Sequence, residues 1–418
     1  MSTWKFVTGW LFAPGPGITG VTTMFSFVLL AAILEIRPLS IHGGSGGNRS
    51  ETSLYRSGAV MPKNIVVFSD GTGQEGGKTP NSNVYKLFNM LENRTDRQVT
   101  FYDRGLGTGW RKLGGNLFGA GISHNIKECY RFIFDNYQAG DRIFLFGFSR
   151  GATTVRSLSA FIHLFGILPK SRPELIDEAW SIYKTGRLME GRRDRRKEKA
   201  DAFIRRHNTM WTRICFLGVW DTVAALGIPS QWWSAVLDKI PFCRHRFHDL
   251  RLSPSVETAV HALALDDERK TFHPTLWDPE IESYQRMKQV WFCGAHTDVG
   301  GGYAEQSLSD IPLAWMVQQA APCGLHIYPQ HQVQIAPDIE GILHDSREGI
   351  PGRYFRREVR TWPVSTHGRP VIHASVRERR ANSANTVEPP YSSWIFDLDP
   401  QEEPWVPEVP DGRTAGTT

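Results

Sequence analysis

The sequence has little cysteine and pairs none of it. Its five cysteines (Cys129, Cys215, Cys243, Cys293, Cys323) are odd in number and never fall in a C-x-x-C spacing, which excludes a disulfide framework and a structural zinc site. They read as reduced thiols, mostly in the core. Charge of one sign is also missing: 48 Lys+Arg stand against 43 Asp+Glu, a formal net charge of +5, so the total does not suggest nucleic acid as a partner. No internal repeat is present. A phosphate-binding loop is absent, because Gly73 to Thr79 (GQEGGKT) has Thr72 where the first glycine is required and Pro80 directly after it. The strand-end Asp70-Gly71-Thr72 has Phe68 where an aspartyl-phosphate enzyme keeps its nucleophile, and a phenylalanine cannot attack phosphorus.

One apolar run approaches membrane-spanning length, Ile18 to Ile36, with Glu35 near its end. Residues 18–36 are therefore an anchor candidate. Arg37, Arg49 and Arg56 outnumber Lys5, which places the downstream domain in the cytoplasm under the positive-inside tendency. A cleaved secretory signal fits less well, since Pro-Gly-Pro-Gly interrupts the segment and no small-residue cleavage site precedes Arg37. A second reading starts translation at Met61, just before the first convincing strand. Residues 43–56 are Gly/Ser-rich and read as a linker in both cases.

With 40% hydrophobic residues over 418 positions, the chain can bury one large core. Short apolar runs at Ile65–Phe68, Val99–Tyr102, Ile143–Phe148, Ile214–Val219 and Gln289–Cys293 read as strands. Pro80–Leu91, Ile122–Tyr137, Ala152–Phe165, Val256–Leu265 and Ile311–Ala321 read as helices. Strands alternating with helices predict an α/β fold, a mostly parallel sheet with helices on both faces. The expected organisation is an anchor and linker over 1–60, a catalytic domain over 61–400 with its cap near 170–210, and a flexible tail over 401–418.

Within Gly147-Phe148-Ser149-Arg150-Gly151 an apolar strand turns sharply into a helix at Ser149, the pattern of a nucleophile elbow. Side chains two residues either side of such a serine would collide, hence the glycines. The turn aims the backbone N–H of Arg150 at the place where an acyl oxygen becomes negative. A serine hydroxyl needs a histidine base oriented by a carboxylate, and in this fold the chain order is serine, acid, histidine. Asp221 ends one strand and competes with Asp298 for the acid role. His373 follows the last apolar run and competes with His296 for the base. Gly71 and Thr72, in a glycine-bearing loop after the first strand, are candidates for the second oxyanion donor.

These residues resemble the α/β-hydrolase family that includes the catalytic domains of type VI secretion phospholipase effectors. The resemblance rests on Phe68-Ser69-Asp70-Gly71-Thr72-Gly73, on Gly147 to Ala152 (GFSRGA), on Gly218 to Val223 (GVWDTV), on Gly294 to Tyr303 (GAHTDVGGGY) and on Val371 to Val376 (VIHASV), in that order. It implies a Ser149–Asp221–His373 triad, an acyl enzyme, a phospholipid or other ester as substrate, membrane contact and no metal or organic cofactor. With Asp221 fixing the imidazole tautomer, Asp221→Asn is expected to fold normally and turn over slowly. The basic run Arg187 to Arg206 reads as a solvated helix face, with anionic headgroups as its functional alternative. Trp232 and Trp233 read as core packing or as part of an acyl pocket.

Overall fold

A computed structural model describes residues 62–71, 74, 76–77, 80–105, 116–185, 193–223, 251–329, 335–348, 355–386 and 390–405. The anchor candidate 18–36, Thr72, Gly73, Trp232 and Trp233 lie outside the described residues. Among those that are described, no helix is long and apolar enough to cross a membrane.

Eight parallel strands form one sheet: β1 (Asn64–Ser69), β2 (Gln98–Asp103), β3 (Arg142–Phe148), β4 (Ile214–Trp220), β5 (Val256–Ala264), β6 (Arg286–Phe292), β7 (Val371–His373) and β8 (Gln401–Glu403). Their order is β2-β1-β3-β4-β5-β6-β7-β8. Strand order reverses between β1 and β3, and the crevice outside the strands' carboxyl ends at such a point is where open α/β sheets bind ligands. The Gly71 loop leaves β1 there and Ser149 leaves β3.

Alternation along the strands divides the core in two. Val66, Phe68, Phe144 and Phe146 face one layer with α1 (Asn83–Met90) and α7 (Ser307–Ala320). Ile65, Val67, Ile143 and Leu145 face the other, with α2 (Asn116–Asn136) and α3 (Arg150–Phe165). A parallel sheet covered on both faces needs such nearly continuous apolar strands.

Three expectations are corrected. Val256–Leu265 is not a helix: Val256–Ala264 is β5, paired with β4 on one side and β6 on the other. Its alanines and leucine favour a helix locally, but a segment between two strands supplies both hydrogen-bonded ladders only when extended. Residues 401–403 are not tail but β8, paired with β7. This three-residue strand with Glu402 and Glu403 closes the sheet with a short, charged edge. The insertion near 170–210 supplies α4 (Leu175–Thr185) and α5 (Arg193–His207), whose Trp180, Tyr183 and Phe203 pack on Phe161 and Phe165 in the second half of α3. Its described part therefore lies along the second half of α3. On α5, Ala200 and Phe203 are buried while most of the charged residues between Arg196 and Arg206 face solvent.

Candidate active site

Ser149 sits at φ 56°, ψ −118° between β3 and α3. Positive φ is unusual for a residue with a side chain, and it is tolerated here because the surroundings fix it. Its N–H donates to Trp220 O at 3.1 Å, tying the turn to the end of β4. A Cβ on Gly151 would stand 1.9 Å from Ser69 O, and one on Gly147 2.6 Å from Gly151 O. Both collisions are with backbone. Gly151→Ala is thus expected to force β1 and the turn apart, lowering stability by about 1–3 kcal/mol and slowing any reaction at Ser149. Thermal unfolding and active-site labelling of the variant check this.

Asp221 follows β4, also at positive φ (36°). Its N–H donates to Ala262 O at 2.8 Å, and the next N–H, of Thr222, donates to His261 Nε2 at 3.0 Å. Burial pushes the His261 imidazole down to about 3, so it stays neutral and can accept that bond. The Asp221 carboxylate is fully buried and lies 2.5 Å from Nδ1 of His296.

His296 opens the short helix α6 (His296–Gly300) after β6. Its ring lies 4.6 Å, centroid to centroid, from that of Phe148, the residue before the serine. Nδ1 is taken by Asp221, which leaves Nε2 as the nitrogen for a base. Burial lowers the affinity of this imidazole for a proton and Asp221 opposes the shift, with a net downward direction. Gly300 lets α6 come this close, since a Cβ there would meet the Phe148 ring at 2.0 Å.

The expected partnership of Asp221 with His373 is corrected by this geometry. His373 ends β7, three strands from β4, roughly 14 Å away at the usual interstrand spacing. It is fully buried, stacks on Phe292 at 4.8 Å, and its Nδ1 lies 2.8 Å from Ser375 Oγ. Its Nε2 has no hydrogen-bond partner among the described residues, and burial pushes the imidazole down to about 3. Asp298 likewise does not orient His296. It caps α6 through the Ala295 N–H at 2.9 Å and pairs with His344 Nδ1 at 2.6 Å.

On the oxyanion side, Arg150 opens α3, the position whose N–H faces out of a helix N-terminus. The Gly71 N–H is corrected as a donor, because it is engaged by Asp70 Oδ1 at 2.7 Å. Asp70 is itself buried, with its carboxyl pushed up to about 6 against the bonds from Ser82 and Tyr102. Gly71 instead keeps the loop close to the nucleophile turn, as a Cβ there would press on the Phe148 ring at 3.2 Å.

This geometry agrees with what the sequence matches. A model of the family described as "T6SS, Phospholipase effector Tle1-like, catalytic domain" matches residues 63–319. The chain belongs to this family. The matched residues hold strands β1 to β6 and Ser149, Asp221 and His296. An uncharacterized protein of Saccharomyces cerevisiae is 28% identical over 286 residues, and the match covers 62% of this chain but only 39% of that relative. Among solved structures, an uncharacterized protein from Pseudomonas aeruginosa is similar at 15% identity and a TM-score of 0.40, covering 84% of this chain and 57% of that one. The Tle1 effector bound to the VgrG spike is similar at 18% identity and a TM-score of 0.32, covering 58% and 52%. The esterase Est2 of Thermogutta terrifontis is similar at 14% identity and a TM-score of 0.34, covering 64% and 86%.

One residue beside the pair of Asp221 and His296 carries no signal in the sequence. Arg360, in the segment between α7 and β7, is 1% exposed and reaches the Asp221 carboxylate with both terminal nitrogens, at 2.6 and 2.8 Å. Burial alone would raise the Asp221 carboxyl, but Arg360, with His296, holds it well below the usual carboxylate range. No glycine turn or strand end marks position 360, so only the fold reveals it.

Proposed function

We propose that Ser149, His296 and Asp221 form the catalytic triad, and that the reaction is hydrolysis of acyl esters of phospholipids. The observation that carries this reading is the 2.5 Å contact of Asp221 with His296 Nδ1, beside a serine at φ 56°. His296 Nε2 takes the proton of Ser149 as the alkoxide attacks the ester carbonyl, and the imidazolium returns it to the leaving alcohol. Asp221 fixes the tautomer with the proton on Nδ1 and stabilises the imidazolium. The Arg150 N–H and the positive end of α3 hold the oxyanion. Water activated by the same imidazole then releases the acid. The order serine, aspartate, histidine along the chain is that of α/β hydrolases.

The phospholipid assignment draws on the family, and short soluble esters or thioesters are the alternative. Purified chain is assayed side by side on phospholipid vesicles, a short-chain ester and an acyl thioester, with Ser149→Ala as control. Release of fatty acid from vesicles by the wild type alone supports the phospholipase reading. Cleavage of the soluble substrates only makes it an esterase or thioesterase, and turnover that survives Ser149→Ala overturns the triad. Intact, folded protein inert to all substrates and to a fluorophosphonate would make it a binding module on this fold.

A further inference from the structure

The Arg360 side chain has five N–H donors, and every one of them is used. Nε donates to Asp267 O at 3.1 Å, one terminal nitrogen to Asp221 Oδ1 and Ala264 O, both at 2.6 Å, and the other to Asp221 Oδ2 at 2.8 Å and Phe272 O at 2.7 Å. Three backbone carbonyls, one on the last residue of β5 and two on the segment after it, thus set the plane of the guanidinium, and the guanidinium sets the plane of the carboxylate. The Ala264 N–H adds a bond to Asp221 Oδ1 at 3.1 Å, leaving Oδ2 turned to His296. A buried ion pair is costly to desolvate and is weak evidence for stability alone. Here one of its members also touches the base.

We propose that Arg360 is a positioning residue of the catalytic centre, acting through Asp221: its fork holds the carboxylate in the plane that His296 needs, and its positive charge opposes the negative charge that His296 faces. This rests on the triad reading above and adds a fourth member to it. With Arg360 in place the dyad of Asp221 and His296 carries one negative charge beside one fixed positive charge, so a further proton is bound weakly. Removing the positive charge must raise the apparent pKa of the dyad, wherever in it the proton resides. Other charged or titratable groups around the pair are already engaged. Arg269 is ion-paired with Asp267, Asp266 accepts from Gly294 N and Tyr391, Asp298 holds His344, and His261 accepts from Thr222 N. Arg156, which bears on His261, is bound to Thr275 and Leu276 carbonyls. None of them contacts both members of the dyad.

The test measures the rate of fluorophosphonate labelling of the full chain against pH, for wild type, Ser149→Ala, Arg360→Gln and Arg360→Lys. Labelling requires the activated serine but no particular substrate. We expect Arg360→Gln to move the acidic limb upward by about 1 pH unit or more and to slow labelling at the plateau. Arg360→Lys, which keeps the charge and loses the fork, is expected to keep the limb and slow the plateau by about tenfold or more. A folded Arg360→Gln protein whose limb coincides with that of the wild type overturns the proposal while leaving the triad intact. If Arg360→Gln does not fold, Arg360→Lys decides: a plateau equal to that of the wild type overturns the proposal, and a slower plateau at an unmoved limb supports it. Labelling that persists in Ser149→Ala overturns the triad reading and this inference with it.

Discussion

His296→Gln should lower kcat/KM by about 10⁴-fold or more, the usual cost of losing the base of a serine triad, while His373→Phe should leave it within about threefold of the wild type. Glutamine fills much of the imidazole's space and can donate to Asp221, so the packing beside Phe148 survives, but it cannot accept a proton from Ser149. At position 373 the reverse holds. The ring sits against Phe292 with an unpaired Nε2 and stays neutral, so phenylalanine keeps the stack and removes an unsatisfied polar atom. The variant forfeits the bond to Ser375, about 1 kcal/mol, against relief of a buried unpaired donor worth about as much. Steady-state turnover on one ester with thermal unfolding of both variants checks the pair. A dead His373→Phe beside an active His296→Gln would place the base at the end of β7 and sink the assignment.

The same two histidines show how far the sequence could be read. The turn at Ser149 was legible because its signal is local: an apolar strand, a glycine two residues either side and an apolar helix mark one sharp turn. Asp221 was legible as the residue where the β4 run stops. The base depends instead on which strand ends are neighbours. Chain order favours the last histidine, His373, whereas the sheet order puts the end of β6 two strands from β4 and the end of β7 three. The glycines of Gly294 to Tyr303 were the available clue, since a loop so free of side chains permits close approach to another element, here Phe148. β5 was misread for a related reason: Val256 to Ala264 has helical composition, and its extension is imposed by the two neighbouring strands. The Gly71 N–H could not be judged from sequence at all, because its acceptor is the side chain of the preceding residue in one rotamer. Arg360 lies in a loop with no pattern, and its role exists only through Asp221.

Asp221→Asn should be both nearly inactive and less stable, which corrects the expectation that this variant folds normally. On the chemical side, an amide in place of the carboxylate no longer fixes the proton on Nδ1, and turnover should fall by about 10⁴-fold. On the structural side, Arg360 is 1% exposed and Asp221 is the one carboxylate bonded to it among the described residues. Breaking a buried pair by removing one partner costs about 3–5 kcal/mol, because the remaining charge is left uncompensated. The carbonyls of Asp267, Ala264 and Phe272 still accept from the guanidinium but carry no net charge. The sign of the pH dependence follows from the same pair. Asp221 is held ionised in the folded protein far below the pH, about 4, at which it takes a proton when unfolded, so its contribution is complete above that pH and is lost as the pH falls further. Asp221→Asn should therefore be less stable than the wild type at neutral pH, with the gap narrowing below about pH 4. Adding Arg360→Met should recover part of the stability and none of the turnover. Denaturant unfolding of the single and double variants at pH 7 and pH 3.5 separates the two effects, and an Asp221→Asn protein as stable as the wild type at pH 7 would show that the guanidinium does not depend on this carboxylate.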